Sequence, residues 1–146
     1  MASLVSAVKD SERRKEIIKD CDALIREEVA DKRGLTGIAV KGGFKMIKSF
    51  RPDIVPQAMD DLIDDFAEKV DPFWLECQEK GHDPQQFFTQ RQADVANSLL
   101  SITDERAQKS KHRVLVKAYN KLRGRAVDHI GSAMPRFAKL LVKHAS

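Results

Sequence analysis

The stretch from Asp53 to Gly81 limits what this chain can fold into more than any other. Val55, Met59, Leu62, Ile63, Phe66 and Val70 recur at three- and four-residue steps, which on a helix makes one apolar stripe. Asp60, Asp61, Asp64, Asp65 and Glu68 fall on the opposite side. Burying one such apolar side chain gains roughly 1.5–3 kcal/mol. Like charges one turn apart, such as Asp60/Asp64 or Asp61/Asp65, cost only about 0.2–0.5 kcal/mol per pair. Burial wins, so a core helix over 54–70 with an acidic outer face is expected at the centre of the fold.

The rest of the chain repeats that grammar. Asp10 and Ser11 offer N-caps for a helix to about Ala30, with Ile17, Ile18, Cys21, Leu24, Ile25 and Val29 as its buried face and Gly34 closing it. A second helix, capped near Thr36, reaches Phe50, where Pro52 forces Arg51 out of helical geometry. Its apolar side is read as Ala39, Gly43, Met46, Ile47 and Phe50. Asp71-Pro72 and Asp83-Pro84 each pair a capping acid with proline at the first helical position, predicting two further starts. The last third is helical through Val114, Leu115, Ala118, Tyr119, Leu122 and Ile130, with a break near Gly131 and a final segment from Pro135. No alternating β-branched run or Asn-Gly hairpin signal interrupts this, so the expectation is an all-α, single-domain bundle of five to seven helices spanning residues 1–146.

Charge is segregated along the chain. The net +4 hides ten acids against two bases between Asp53 and Asp83, and eleven bases against one acid from Arg106 onward. No apolar run approaches the roughly 18–20 residues of a membrane span. The start lacks a basic segment ahead of a long apolar one, so a cytoplasmic address is expected. Cys21 and Cys77 lie far apart in apolar helical patterns and read as buried thiols in a reducing compartment.

Several constellations invite a chemical reading. The run Asp60-Asp61-Leu62-Ile63-Asp64-Asp65 has the look of a hard-cation site, since carboxylates one turn apart share a divalent ion through oxygen. Yet these acids face away from the apolar stripe, so a solvated or docking face (Asp60, Asp61, Asp64, Asp65, Glu68) is expected and no metal or cofactor. Lys41, Lys45, Lys48 and Arg51 line one helix, and Lys117, Lys121 and Arg125 another; together they form a candidate basic contact face able to grip phosphates. Sequence-specific DNA reading is not expected, because the first residues of the earlier helix, Thr36, Gly37, Ile38 and Ala39, include no Arg, Asn or Gln to read a base edge. His82, His112, His129 and His144 assemble with no second Cys/His pair and no nucleophile, so no catalytic residue is nominated. Phe73, Trp74, Phe87 and Phe88 are candidates for an interface or an apolar pocket; adjacent aromatics cannot both point inward on a narrow stripe, so one of each pair is expected at a boundary.

A family resemblance spans nearly the whole chain. Lys32-Arg33-Gly34-Leu35-x-Gly37 with Lys41, Pro52-Asp53-Ile54-Val55, Asp61-Leu62 with Phe66, and Pro72-Phe73-Trp74 carry its first half. Thr103-Asp104-x-Arg106-Ala107, Lys117-Ala118-Tyr119 with Leu122-Arg123-Gly124, and Pro135-Arg136 carry the second. Together they resemble an uncharacterised bacterial family of small cytoplasmic helical proteins. The resemblance implies an all-helical fold and brings no assigned activity, so no functional residue transfers from it.

Function is therefore left open by the residues, with three readings ranked. First is a non-catalytic protein-interaction module, self-associating as a homo-oligomer such as a dimer. Second is non-specific nucleic-acid binding through the basic helix faces. Third is a carrier of a small apolar ligand with an aromatic pocket near Trp74, for which no converging acid/base pair argues catalysis.

Overall fold

A computed structural model describes residues 3–145, and every regular element among them is a helix. In chain order these are α1 (Leu4–Lys9), α2 (Ser11–Asp31), α3 (Gly34–Phe50), α4 (Ile54–Glu79), α5 (Pro84–Gln90), α6 (Gln92–Lys109), α7 (Arg113–Arg123), α8 (Ala126–Ser132) and α9 (Met134–Ala145). Nine helices among the described residues replace the five to seven expected, while the all-α class stands. Met1, Ala2 and Ser146 of the expected 1–146 unit lie outside the described residues.

The largest departure is at Pro72. Two expected helices are one, because Ile63, Ala67, Val70, Trp74 and Cys77 continue a single buried stripe through the proline. A mid-helix proline costs roughly 3 kcal/mol. Burial of Trp74, 2% exposed, and of Cys77, 1% exposed, on the continued stripe outweighs that cost. Asp71 is therefore not a cap for its own helix. It is buried, and its carboxylate accepts from the amides of Leu4 at 2.6 Å and Val5 at 3.1 Å, capping α1 from a distant part of the chain.

Where α4 joins two expected helices, Arg91 and Gly124 split two others. At Arg91 the backbone leaves helical geometry. The guanidinium there lies 5.1 Å from the Phe73 ring centroid and pairs with Glu76 at 2.7 Å and Asp94 at 3.1 Å. That bend lets Phe87 and Phe88 both turn inward, against the expectation that one stays at a boundary. Phe88 meets Phe87 edge-on at 5.4 Å and Phe137 at 5.8 Å.

Helix α3 begins at Gly34, whose φ of +69° makes the turn out of α2, rather than near Thr36. Its buried side is Gly37, Val40 and Gly43, and both Ala39 and Phe50 are exposed. Gly43 is buried as expected and marks the close approach to α7, where a Cβ would stand 2.9 Å from Leu122 Cδ2.

Helix α4 touches α1, α2, α3, α5 and α6, which fits the central position expected of it. α2 and α9 run antiparallel, stitched from Asp20–Lys143 at 2.8 Å to Glu28–Arg136 at 3.0 Å. The main apolar core joins α1, α2, α4, α5, α6 and α9, and neither α3 nor α7 contributes to it. Those two helices pack chiefly on each other.

Candidate apolar cavity

Because the α3/α7 pair stands beside the core rather than in it, a gap remains between them and α2. The gap is a cavity of about 420 Å³, neither sealed nor a mere surface groove. Its α2 wall is Ile17, Cys21, Leu24, Ile25 and Val29, the face read from the sequence as buried. Only Ile17 of these is fully buried, because the others look into the void. Val40 and Phe44 of α3 and Leu122 of α7 close one side. Ile63 and Phe66 of α4, Leu99 of α6, Ile130 of α8, and Met134 and Phe137 of α9 close the rest.

The few polar side chains on the wall are already engaged or neutralised. Glu28 accepts from Arg136, Lys32 Nζ donates to Ser132 Oγ at 2.7 Å, and Thr103 Oγ1 shares a hydrogen bond with Tyr119 Oη at 2.7 Å. His144 Nε2 lies 2.6 Å from Asp20 Oδ2. Burial, and after it the Lys32 charge, holds the His129 pKa below its usual range, favouring the neutral ring. The Cys21 thiol is pushed up to about 12 by burial and then by Asp20, so it is no thiolate nucleophile. The wall presents mostly apolar side chains, and Glu28, Lys32, Thr103 and His144 are held in contacts of their own.

The residues singled out from the sequence fall elsewhere. Phe73, Trp74, Phe87 and Phe88 belong to the packed core region and none lines the cavity; its aromatics are Phe44, Phe66 and Phe137. The acidic face is exposed but partly engaged: Arg14 bridges Asp60 and Asp64 at 3.0 Å each, and Arg106 reaches Asp61 at 3.2 Å. Asp65 and Glu68 are exposed on the same helix. Among the described residues, no three His, Cys, Asp or Glu side chains converge in a way that suits a metal ion.

On the basic face, Lys41, Lys45, Lys117, Lys121 and Arg125 are exposed and Lys48 lies over the Phe44 ring at 5.3 Å. Arg51 instead pairs with Asp53 at 3.4 Å and Gln57. The two lysine rows sit on α3 and α7, which the fold brings side by side. Two exposed apolar residues of α3, Leu35 and Ile38, were not read from the sequence as contact residues. Their only signal there is position, since a helix pattern with Lys41 and Lys45 outward puts Ile38 outward too.

One polar cluster ties α6 to α7 beside the cavity. Arg123 donates to both oxygens of Asp104, at 2.9 and 3.1 Å, and Tyr119 Oη donates to the same carboxylate at 2.5 Å. The Arg123 hydrogen bonds, and then that of Tyr119, hold Asp104 below the usual carboxylate range. Burial, then the Asp104 hydrogen bond, pushes Tyr119 up to about 12. Thr103, Asp104, Tyr119 and Arg123 all stand in motifs that carry the family resemblance, and in space they form one cluster.

Comparison with known proteins agrees with that resemblance at the level of family. No curated protein and no solved structure matches the chain. Among the described residues no helix is long and apolar enough to cross a membrane. The model of a family of unknown function, DUF6918, matches residues 4–145, and the chain belongs to that family.

Proposed function

We propose that this protein is a non-catalytic carrier or sensor of a small apolar ligand held in the cavity between α2, α3, α4, α8 and α9. The carrying observation is a space of about 420 Å³ with an almost wholly apolar wall, within the ~300–1,000 Å³ range of small-molecule sites. Left empty, a buried void of this size costs about 10 kcal/mol at the ~24 cal/mol per Å³ found for engineered cavities. That upper bound, softened where the cavity opens, rivals the roughly 5–15 kcal/mol by which whole domains are stable. Water fills it poorly, since buried water needs two to four polar partners and this wall has few to spare. An apolar occupant resolves both costs.

Self-association through the acidic face has less support, because Arg14 and Arg106 already engage Asp60, Asp61 and Asp64 within the chain. Non-specific nucleic-acid binding keeps the lysine rows of α3 and α7 and the exposed Phe50 ring 5.0 Å from His112, but it leaves the apolar cavity without a role. A cytoplasmic setting in a bacterium goes with the proposal, and the two free thiols, both pushed up by burial, fit a reducing compartment.

Titration with an apolar fluorophore whose emission rises in dry surroundings tests the reading. Saturable binding of one probe per chain, competed by unlabelled long-chain hydrocarbon derivatives, is expected. Absence of saturable binding to the folded protein overturns it.

A further inference from the structure

The outer face of α3 has a composition that neither a solvated helix nor an RNA-binding helix requires. Leu35 is 87% and Ile38 71% exposed, one turn apart and directed away from the buried side formed by Gly37, Val40 and Gly43. With Phe50 they make up three of the five large apolar side chains exposed among the described residues. Lys41, Lys45 and Lys48 follow on the same or flanking rows, and no Asp or Glu occurs between Gly34 and Phe50. None of the three lysines forms an ion pair among the described residues. Two greasy side chains at one end and a row of unneutralised ammonium groups along the rest match an anionic bilayer surface. There the alkyl groups enter the headgroup boundary while lysines meet lipid phosphates. Nucleic acid would use the lysines but gain nothing from Leu35 and Ile38.

We infer that α3 docks this protein on anionic phospholipid membranes, with Leu35 and Ile38 inserting and Lys41, Lys45 and Lys48 contacting the headgroups. The same helix supplies Val40 and Phe44 to the cavity wall, so the docked face and part of the apolar wall belong to one helix. The inference stands apart from the carrier proposal: a protein can dock without holding a ligand, and the two assays are independent.

Vesicle flotation decides it, using phosphatidylcholine alone and phosphatidylcholine with about one third phosphatidylglycerol at low and high salt. The wild-type protein should float only with the anionic vesicles and be released by salt. Leu35→Ser/Ile38→Ser, both at exposed positions and so compatible with folding, should lower binding about tenfold or more while helicity by circular dichroism stays unchanged. Each Lys→Gln change at 41, 45 or 48 should lower it about fivefold. Failure of the wild-type protein to float with anionic vesicles at low salt overturns the inference. So does undiminished flotation of the double serine variant, which would leave a purely electrostatic face of the kind that nucleic acid uses. Wild-type self-association by light scattering that the serine variant loses, with vesicle binding unchanged, would assign the patch to a second copy of the chain instead.

Discussion

The two ends of α4 face different interiors. Around its C-terminal half, Trp74, Cys77, Phe88 and Val95 are at most 2% exposed, line no part of the cavity and fill the space beside α5 and α9. Around its N-terminal half, Met59, Ile63 and Phe66 share a comparably apolar surface with α2 and α3, yet that surface encloses a void. Composition does not separate the two. The difference lies in what sits opposite: α5, packed on α9, presses Phe87 and Phe88 into the first region, whereas α3 grips α7 at Gly43 and Leu122 beside the second. A stripe becomes core or cavity according to whether its neighbour is free to close on it.

Truncations should separate the regions most strongly. Trp74→Ala is expected to cost about 3–5 kcal/mol in urea unfolding, whereas Leu24→Ala, in a wall that already lacks neighbours on one side, should cost about 2 kcal/mol or less. Equal losses at the two sites would erase the distinction. Enlargement gives the next contrast: Ala138→Leu, at a position fully buried in the dense region, should destabilise by about 1–3 kcal/mol through overpacking. Of similar size is Asp71→Ala, which strips the cap from buried amides of α1 and should cost about 1–3 kcal/mol. Amide exchange at Leu4 and Val5 should quicken with it.

A smaller effect sharpens the picture on the cavity side, where Tyr119 is the one tyrosine of the chain. Its ultraviolet titration should be centred at about 12 instead of the usual 10. Because the folded state keeps this proton longer than the unfolded chain, the associated stability is present below pH ~10 and is lost as pH rises toward 12. At the acid end, Asp104 has the opposite sign: its stabilisation is present above pH ~4 and is lost as pH falls through its depressed folded value. Asp104→Asn should bring the tyrosine titration part of the way back toward 10 and remove that acid limb. A tyrosine midpoint near 10 in the wild-type protein would contradict the cluster.

Much of this fold was legible in the chain because helical patterns are local. The α4 stripe and the capping acids Asp10 and Asp83 appear where periodicity and capping place them. What escaped was set by contacts distant in sequence. Asp71-Pro72 carries every mark of a helix start, and only the need to keep Trp74 on the buried stripe, with α1 waiting for a cap, overrides it. The face of α3 was read correctly at Gly43 and missed at Val40, Ala39 and Phe50, because packing on α7 fixes the helix's rotation and local periodicity does not show it. For the same reason the cavity was out of reach: Leu24, Ile25 and Val29 spell a buried face equally well whether packed side chains or empty space stands opposite.

Thermal unfolding of the wild-type protein beside Ile25→Phe/Val29→Phe, each with and without the apolar fluorophore, tests the cavity most directly. The wild-type midpoint should rise with added probe, since a ligand that binds only the folded state stabilises it by mass action. The filled variant should start about 0.5–2 kcal/mol more stable and ignore the probe. A variant that is destabilised and still responds to the probe as the wild type does would mean that no such space exists in solution.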